Sequence, residues 1–243
     1  EISCSLVGSE MCIRDSNGYA LYVPRLFKHV HTSVCADQRR ALEVSDIGNL
    51  LCETEKASSC GSLPIELQTT KNIFALMFLL RGIPFVDLAY LRKADIQGNT
   101  LKYRRRKTGR LLTVMLTPDA IKLIRIVAKT KPESPYLFPF LSSPEGTEAA
   151  YHEYQSSLRM FNYRLSRLKK YMKTAAHLSS YTIRHTWATM AYYCEIHPGI
   201  ISEAMGHSSI KVTETYLKPF QNEKIDNANS QVISYVKEYA SIV

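Results

Sequence analysis

One block of β-favouring residues, 96–116, stands alone in a chain whose other apolar positions recur at helical spacing. Turn signals at Gln97-Gly98-Asn99 and Thr108-Gly109 cut the block into short strands, which predicts a small antiparallel meander. A sheet that small must bury a face under helices. Upstream, the pattern predicts a short helix over 44–55 with Ser45 as its cap, then a strongly apolar helix over 66–80 that stops at Arg81-Gly82, just before Pro84. A further short helix over 86–91 leads into the meander. Downstream, Thr117-Pro118-Asp119 supplies a cap and a first-turn proline for a helix reaching about Ala128. Residues 132–146 are rich in Pro and Ser and predict a loop. Leu158, Phe161, Leu165 and Leu168 then mark a helix over 148–173, decorated by Arg159, Arg164, Arg167, Lys169 and Lys170. Helices over 182–194, 198–205, 209–217 and 225–239 complete the chain, the last with an apolar stripe at Val232, Ile233 and Val236. The expected class is mainly α with a small antiparallel β-sheet (α+β), with Phe78 and Trp187 in the core.

At 243 residues and 45% apolar content the chain can bury one sizeable core, with a small appendage at most. Its net charge of +9 favours a polyanionic partner such as nucleic acid over an acidic small molecule. None of that excess comes from residues 1–16, where Glu1, Glu10 and Asp15 outweigh Arg14. The run Glu10-Met11-Cys12-Ile13-Arg14-Asp15-Ser16 reads as the translation of a transposase-type sequencing adapter, so residues 1–16 are set aside as an artefact. Residues 17–40, with Tyr19, Tyr22, Pro24 and Phe27 in no clean period, read as an extended linker, which leaves 41–243 as the main domain. No run approaches the roughly eighteen apolar residues of a membrane span. Outside the suspect segment, Cys35, Cys52, Cys60 and Cys194 form no C-x-x-C pair and have no histidine at zinc spacing, so reduced structural thiols are expected and no metal. His29, His31 and His197 carry no functional pattern.

The informative segment is Ser180-Tyr181-Thr182-Ile183-Arg184-His185-Thr186-Trp187-Ala188-Thr189, followed by Met205-Gly206-His207-Ser208-Ser209 and by Thr215-Tyr216. In this order they resemble the H-x-x-R-H-x-x-A-T box, the L-G-H-S box and the later tyrosine of the tyrosine recombinases, or phage-integrase family. Leu80-Arg81-Gly82-Ile83-Pro84-Phe85-Val86-Asp87-Leu88, with Leu91 and Asp95-Ile96, is similar to the box holding that family's first arginine, and Arg81 is the matching residue. Lys107, in Lys107-Thr108-Gly109, matches its β-hairpin lysine. The resemblance spans about residues 40–220 and implies the family's catalytic-domain fold. Three departures stand out: Tyr181 occupies the place of the first histidine, Asp87 replaces the usual Glu, and Met205 replaces the common Leu. His185 follows Arg184 as in the family and is expected to be structural.

The chemistry suits these residue types independently. A phenol, with a pKa near 10, attacks a phosphodiester only if its proton is removed and the phosphate is made electrophilic. Two guanidinium groups, Arg81 and Arg184, can grip the non-bridging oxygens and offset the growing charge, a task otherwise given to a metal. Lys107 on a hairpin tip is placed to protonate the leaving 5′-oxygen. His207 would bond the phosphate or help accept the tyrosine proton, and the Tyr181 phenol can still bond phosphate. The resemblance implies Tyr216 as nucleophile, a 3′-phosphotyrosine intermediate on double-stranded DNA, no cofactor, and a homotetramer that exchanges its C-terminal helices. It further implies a missing N-terminal DNA-clamping domain and a cytoplasmic, DNA-associated bacterial setting. Two rival readings remain: a non-catalytic DNA-binding remnant, and a type IB topoisomerase-like enzyme. Tyr216 is one of fifteen tyrosines and owes its role to its place in the box. Arg104, Arg105, Arg106 and Arg110 crowd the Lys107 hairpin, each a phosphate contact or a solvated strand position.

Overall fold

In the computed structural model the described residues are 41–52, 63–128, 132–172, 174–217, 220 and 222–240. The expected adapter and linker at 1–40 lie outside them. The elements are α1 (Val44–Cys52), α2 (Ile65–Leu79), α3 (Phe85–Ala89), a 3-10 turn (Lys93–Asp95), β1 (Ile96–Gln97), β2 (Thr100–Arg104), β3 (Leu111–Met115), α4 (Pro118–Val127), α5 (Glu148–Met172), α6 (Thr182–Tyr193), α7 (Pro198–Ala204), α8 (Ile210–Glu214) and α9 (Asn222–Ala240). The class is the expected one. The meander forms a three-stranded antiparallel sheet in the order β1-β2-β3, with Tyr103 opposite Leu112 and Arg104 opposite Leu111.

The central element is α2, whose residues from Ile73 to Met77 are all buried, because α4, α5 and α6 pack around it. From Ile73 to Leu79 it is apolar all round, as an interior helix is. Leu101, Leu112, Val114, Leu123, Phe161, Leu165 and Leu168 join it in one core, and Phe78 packs at the edge. A second, smaller cluster of Ala188, Ala191, Ile201, Met205 and Tyr216 sits among α6, α7 and the segment after α8, with Trp187 against it. Thus the expected nucleophile is part of a hydrophobic cluster.

Local signals account for most boundaries. Thr117 Oγ1 accepts from Ala120 N at 3.3 Å and Pro118 fills the first turn of α4. Helix α1 begins at Val44, so Ser45 falls inside its first turn and does not cap it. Helix α2 ends in two consecutive left-handed residues, Arg81 at φ 60° and Gly82 at φ 66°. Helix α8 stops at Glu214, short of the expected Leu217, and the chain then turns Tyr216 inward, where Thr189 Oγ1 donates to its carbonyl at 3.2 Å. Among the described residues no helix is long and apolar enough to cross a membrane.

Candidate active site

Arg184 lies one turn into α6 and is 1% exposed. Its Nη1 donates to Gly82 O at 2.8 Å, and its Nη2 to Met205 O at 2.7 Å and to His207 Nε2 at 2.8 Å. Gly82 is needed for this approach: a Cβ there would sit 3.0 Å from Arg184 Cα, and its φ of +66° is unfavourable for any other residue. One guanidinium thereby ties the turn after α2 to the turn before α8. Burial, then the nearby Arg105 cation, push Arg184 below its ordinary pKa. Its Nε is enclosed and has no hydrogen-bond partner among the described residues.

Since a guanidinium only donates, His207 Nε2 must be the acceptor, and Nδ1–H then donates to Thr213 Oγ1 at 2.8 Å. Burial, then Arg184, Arg105 and Lys107, push the imidazole down to about 3, consistent with this neutral tautomer. In this arrangement both ring nitrogens of His207 are occupied.

Tyr216 is 9% exposed, with its ring 4.9 Å from that of His207, 4.5 Å from His185 and 5.8 Å from the Arg184 guanidinium carbon. Its hydroxyl bonds to the hydroxyl of Tyr181. Burial, then that bond, push the Tyr181 phenol up to about 12, so it stays protonated through the neutral range and can donate to a phenolate or a phosphate oxygen. Arg184, His207, Tyr181 and Tyr216 therefore form one cluster.

The other two expected residues are held differently. Arg81 is half-buried beside Gly82, but its guanidinium is turned to β3, where Nη1 donates to Thr113 O at 3.3 Å. Lys107 is exposed at the β2–β3 tip, close enough for its charge to act on His207. Arg105 was not singled out from its neighbours by the sequence, yet it is 5% exposed. It lies between Asp87, with Nε 3.4 Å from Oδ2, and the Met205 and Gly206 carbonyls, with Nη1 at 2.8 and 3.3 Å. Burial raises the Asp87 carboxyl, while the Arg106 backbone N–H and the Arg105 cation pull it back down. Arg106 itself pairs with Glu145, which also holds Arg92, and its guanidinium carbon lies 3.7 Å from the centre of the Tyr90 ring.

Comparison with known proteins gives this cluster a lineage. Residues 48–223 match the model of the phage integrase family. The chain belongs to that family. A search of curated protein sequences found no match. Among solved structures, this phage integrase family member is similar to XerH site-specific recombinase in a post-cleavage complex with palindromic difH substrate, at a TM-score of 0.59 and 16% identity, covering 93% of this chain and 62% of that one. XerA recombinase aligns at 0.54 and 16%, over 83% and 64%. The Tn1549 transposon integrase, in complex with transposon right end DNA, aligns at 0.53 and 14%, over 79% and 66%. The chain spans under two thirds of the length of each, and at these identities the likeness is one of fold.

Proposed function

We propose that this chain is the catalytic part of a site-specific DNA recombinase that cleaves and rejoins double-stranded DNA through a 3′-phosphotyrosine at Tyr216. The observation that carries the reading is the buried contact of the Tyr216 ring with Arg184 and His207, which puts a phenol beside a fixed cation. Tyr216 Oη–H gives its proton to water, the oxygen attacks phosphorus, the P–O5′ bond breaks, and O5′ takes a proton from Lys107, which regains one from water. Arg184, joined by Arg81 once its weak hold on Thr113 O is exchanged for phosphate, offsets the charge on the non-bridging oxygens. Tyr181 bonds the Tyr216 oxygen as it ionises and then the phosphate. A 5′-hydroxyl from a second strand reverses the step, so bond energy is conserved without a nucleotide cofactor.

Helix α9 supports assembly on DNA. Its Val232, Ile233, Tyr235 and Val236 are all exposed, an apolar stripe suited to a neighbouring copy, and four chains joined in this way would match the expected homotetramer.

The test uses a nicked duplex library of random sequence, from which the wild-type chain is expected to capture a covalent adduct. Tyr216→Phe should abolish the adduct and leave DNA affinity within about twofold, since only a hydroxyl is lost. Adduct surviving in that variant removes Tyr216 from the mechanism. Salt-sensitive binding with no adduct from the wild type would point to a DNA-binding remnant. Supercoil relaxation without strand exchange would point to a topoisomerase-like enzyme.

A further inference from the structure

The tip of the β2–β3 hairpin grips three consecutive backbone carbonyls of the turn that carries His207. Arg105 Nη1 donates to Met205 O and Gly206 O, Thr108 Oγ1 donates to Gly206 O at 3.1 Å, and Arg110 Nη1 donates to His207 O. Arg184 reaches the Met205 carbonyl as well. Both partners are shaped for this. On the turn, Gly206 has φ +66°, and a Cβ there would meet Leu112 Cδ1 at 3.0 Å and Arg105 Cδ at 3.1 Å. On the hairpin, Arg105 N donates to Arg110 O at 2.8 Å and Gly109 N to Arg105 O at 2.7 Å, so the tip is a closed loop. Its base is anchored by Asp87, whose Oδ1 accepts from Arg106 N at 2.9 Å.

Lys107 sits inside that loop and is the one residue of it offered as a reagent. It is exposed and makes no hydrogen bond among the described residues, so nothing of its own fixes its place. We propose that Arg105, Thr108 and Arg110 form a clasp that positions Lys107 against the scissile phosphate by docking the hairpin tip onto the Met205–His207 turn. The proposal rests on the reading of Lys107 as the proton donor. Proton transfer needs the heavy atoms within about 2.6–3.2 Å, and a misplacement of about 1 Å can cost about a hundredfold. A flexible four-carbon stem meets that tolerance only if its backbone is held. Thr108 and Arg110 are positioning residues in this scheme, because they act through Lys107.

Replacing the bridging 5′-oxygen with sulfur isolates the step. The Tyr216 proton passes to water, the Tyr216 O–P bond forms, the P–S bond breaks, and the sulfur departs as a thiolate. With a thiol pKa near 8.5, it has little need of a proton donor. Adduct rates would be measured on the duplex recovered from the wild-type adduct, made with 5′-oxygen and with 5′-sulfur. The proteins are wild type, Lys107→Ala, Thr108→Val, Arg110→Ala and the double clasp variant. On oxygen, Lys107→Ala should fall about a hundredfold or more and the double variant about tenfold or more, in line with general-acid contributions. On sulfur, both should return to within about threefold of wild type.

Clasp variants slowed equally on the two substrates would overturn the proposal, since their bonds would then serve the fold or the His207 turn and not proton delivery. Unchanged rates on oxygen would overturn it as well. Failure of sulfur to rescue Lys107→Ala is a different result: it defeats the proton-donor reading, and the clasp proposal with it. Thr108→Val is nearly isosteric and half-buried, so it remains informative if Arg110→Ala lowers the melting temperature.

Discussion

The two sides of the site differ in how they are held. On the α6–α8 side, Arg184, His207 and Tyr216 are buried, with ring centroids within 5 Å for the last two and each polar atom of His207 engaged. On the side of α2 and the sheet, Arg81 and Lys107 present their charges to solvent, and their connection to the cluster runs through backbone: Gly82 O for the first, the Met205–His207 carbonyls for the second. Groups of the first kind set the geometry before any ligand arrives, while groups of the second kind can adjust to a phosphate at little cost to the fold. Stability and chemistry should therefore respond differently to substitution on the two sides.

The largest expected effect is at Arg184. Methionine in its place fills a similar volume but leaves Gly82 O and His207 Nε2 without their donor, while Met205 O keeps its bond from Arg105 Nη1. The stability loss should be about 3 kcal/mol, because each buried acceptor left unsatisfied costs about 1–3 kcal/mol and some of this is recovered by no longer burying a cation. Chemical denaturation reads the loss, and adduct formation should fall at least about a hundredfold. A variant as stable as wild type would show that Arg184 is no linchpin, and the contrast between the two sides would dissolve.

Next in size is a pH effect at His207. The folded imidazole is pushed down to about 3 while the unfolded one keeps its ordinary value near 6.5, so protonation favours the unfolded chain. The contribution is complete above pH 6.5 and is lost as pH falls towards the folded value. Between pH 7 and 4.5 the wild type should lose about 2 kcal/mol more than His207→Asn, which has no such proton to take up. Asp87, raised by burial, acts with the opposite sign, since its folded form holds a proton more tightly; it is present in both proteins and cancels in the difference. Parallel stability curves for the two proteins would mean that His207 is not held neutral.

The helices and the meander were legible because their signals are local: apolar spacing, the Thr117 cap with Pro118, the glycines at the turns. The end of α8 was not, since what stops it is a tertiary event, the inward turn of Tyr216 towards α6. In the site, the boxes pointed to Arg184, His207, Tyr181 and Tyr216, and the fold brings these four together. Arg105 could have been found by counting, because Leu101, Tyr103 and Arg105 alternate on one face and all are buried. Thr108 and Arg110 had no such signal. Their partners are carbonyls, which every residue possesses, so no pairing of residue types betrays them. Nor does sequence tell that Arg81 is turned to Thr113 O, since a long side chain chooses its acceptor only after the sheet has formed.

Arg81 gives the smallest effect on stability and the sharpest test of the contrast. Its φ of 60° is a left-handed conformation that costs a side chain with a Cβ about 1 kcal/mol and costs glycine nearly nothing. The guanidinium contributes little in return, because its bond to Thr113 O is exposed and 3.3 Å long. Arg81→Gly should therefore raise stability slightly, by about 0.5 kcal/mol after the extra freedom glycine gives the unfolded chain. The same variant should lose adduct formation at least about a hundredfold, because it removes a cation from the transition state. Stability and activity would move in opposite directions at one residue, as expected where backbone strain is kept to hold a functional side chain. Arg81→Lys keeps the charge and the strain but not the forked donor geometry, and it should recover only part of the rate at unchanged stability. A fall in stability for Arg81→Gly would show that Arg81 is a structural cation like Arg184, and the distinction between a preset and an adjustable side of the site would fail there.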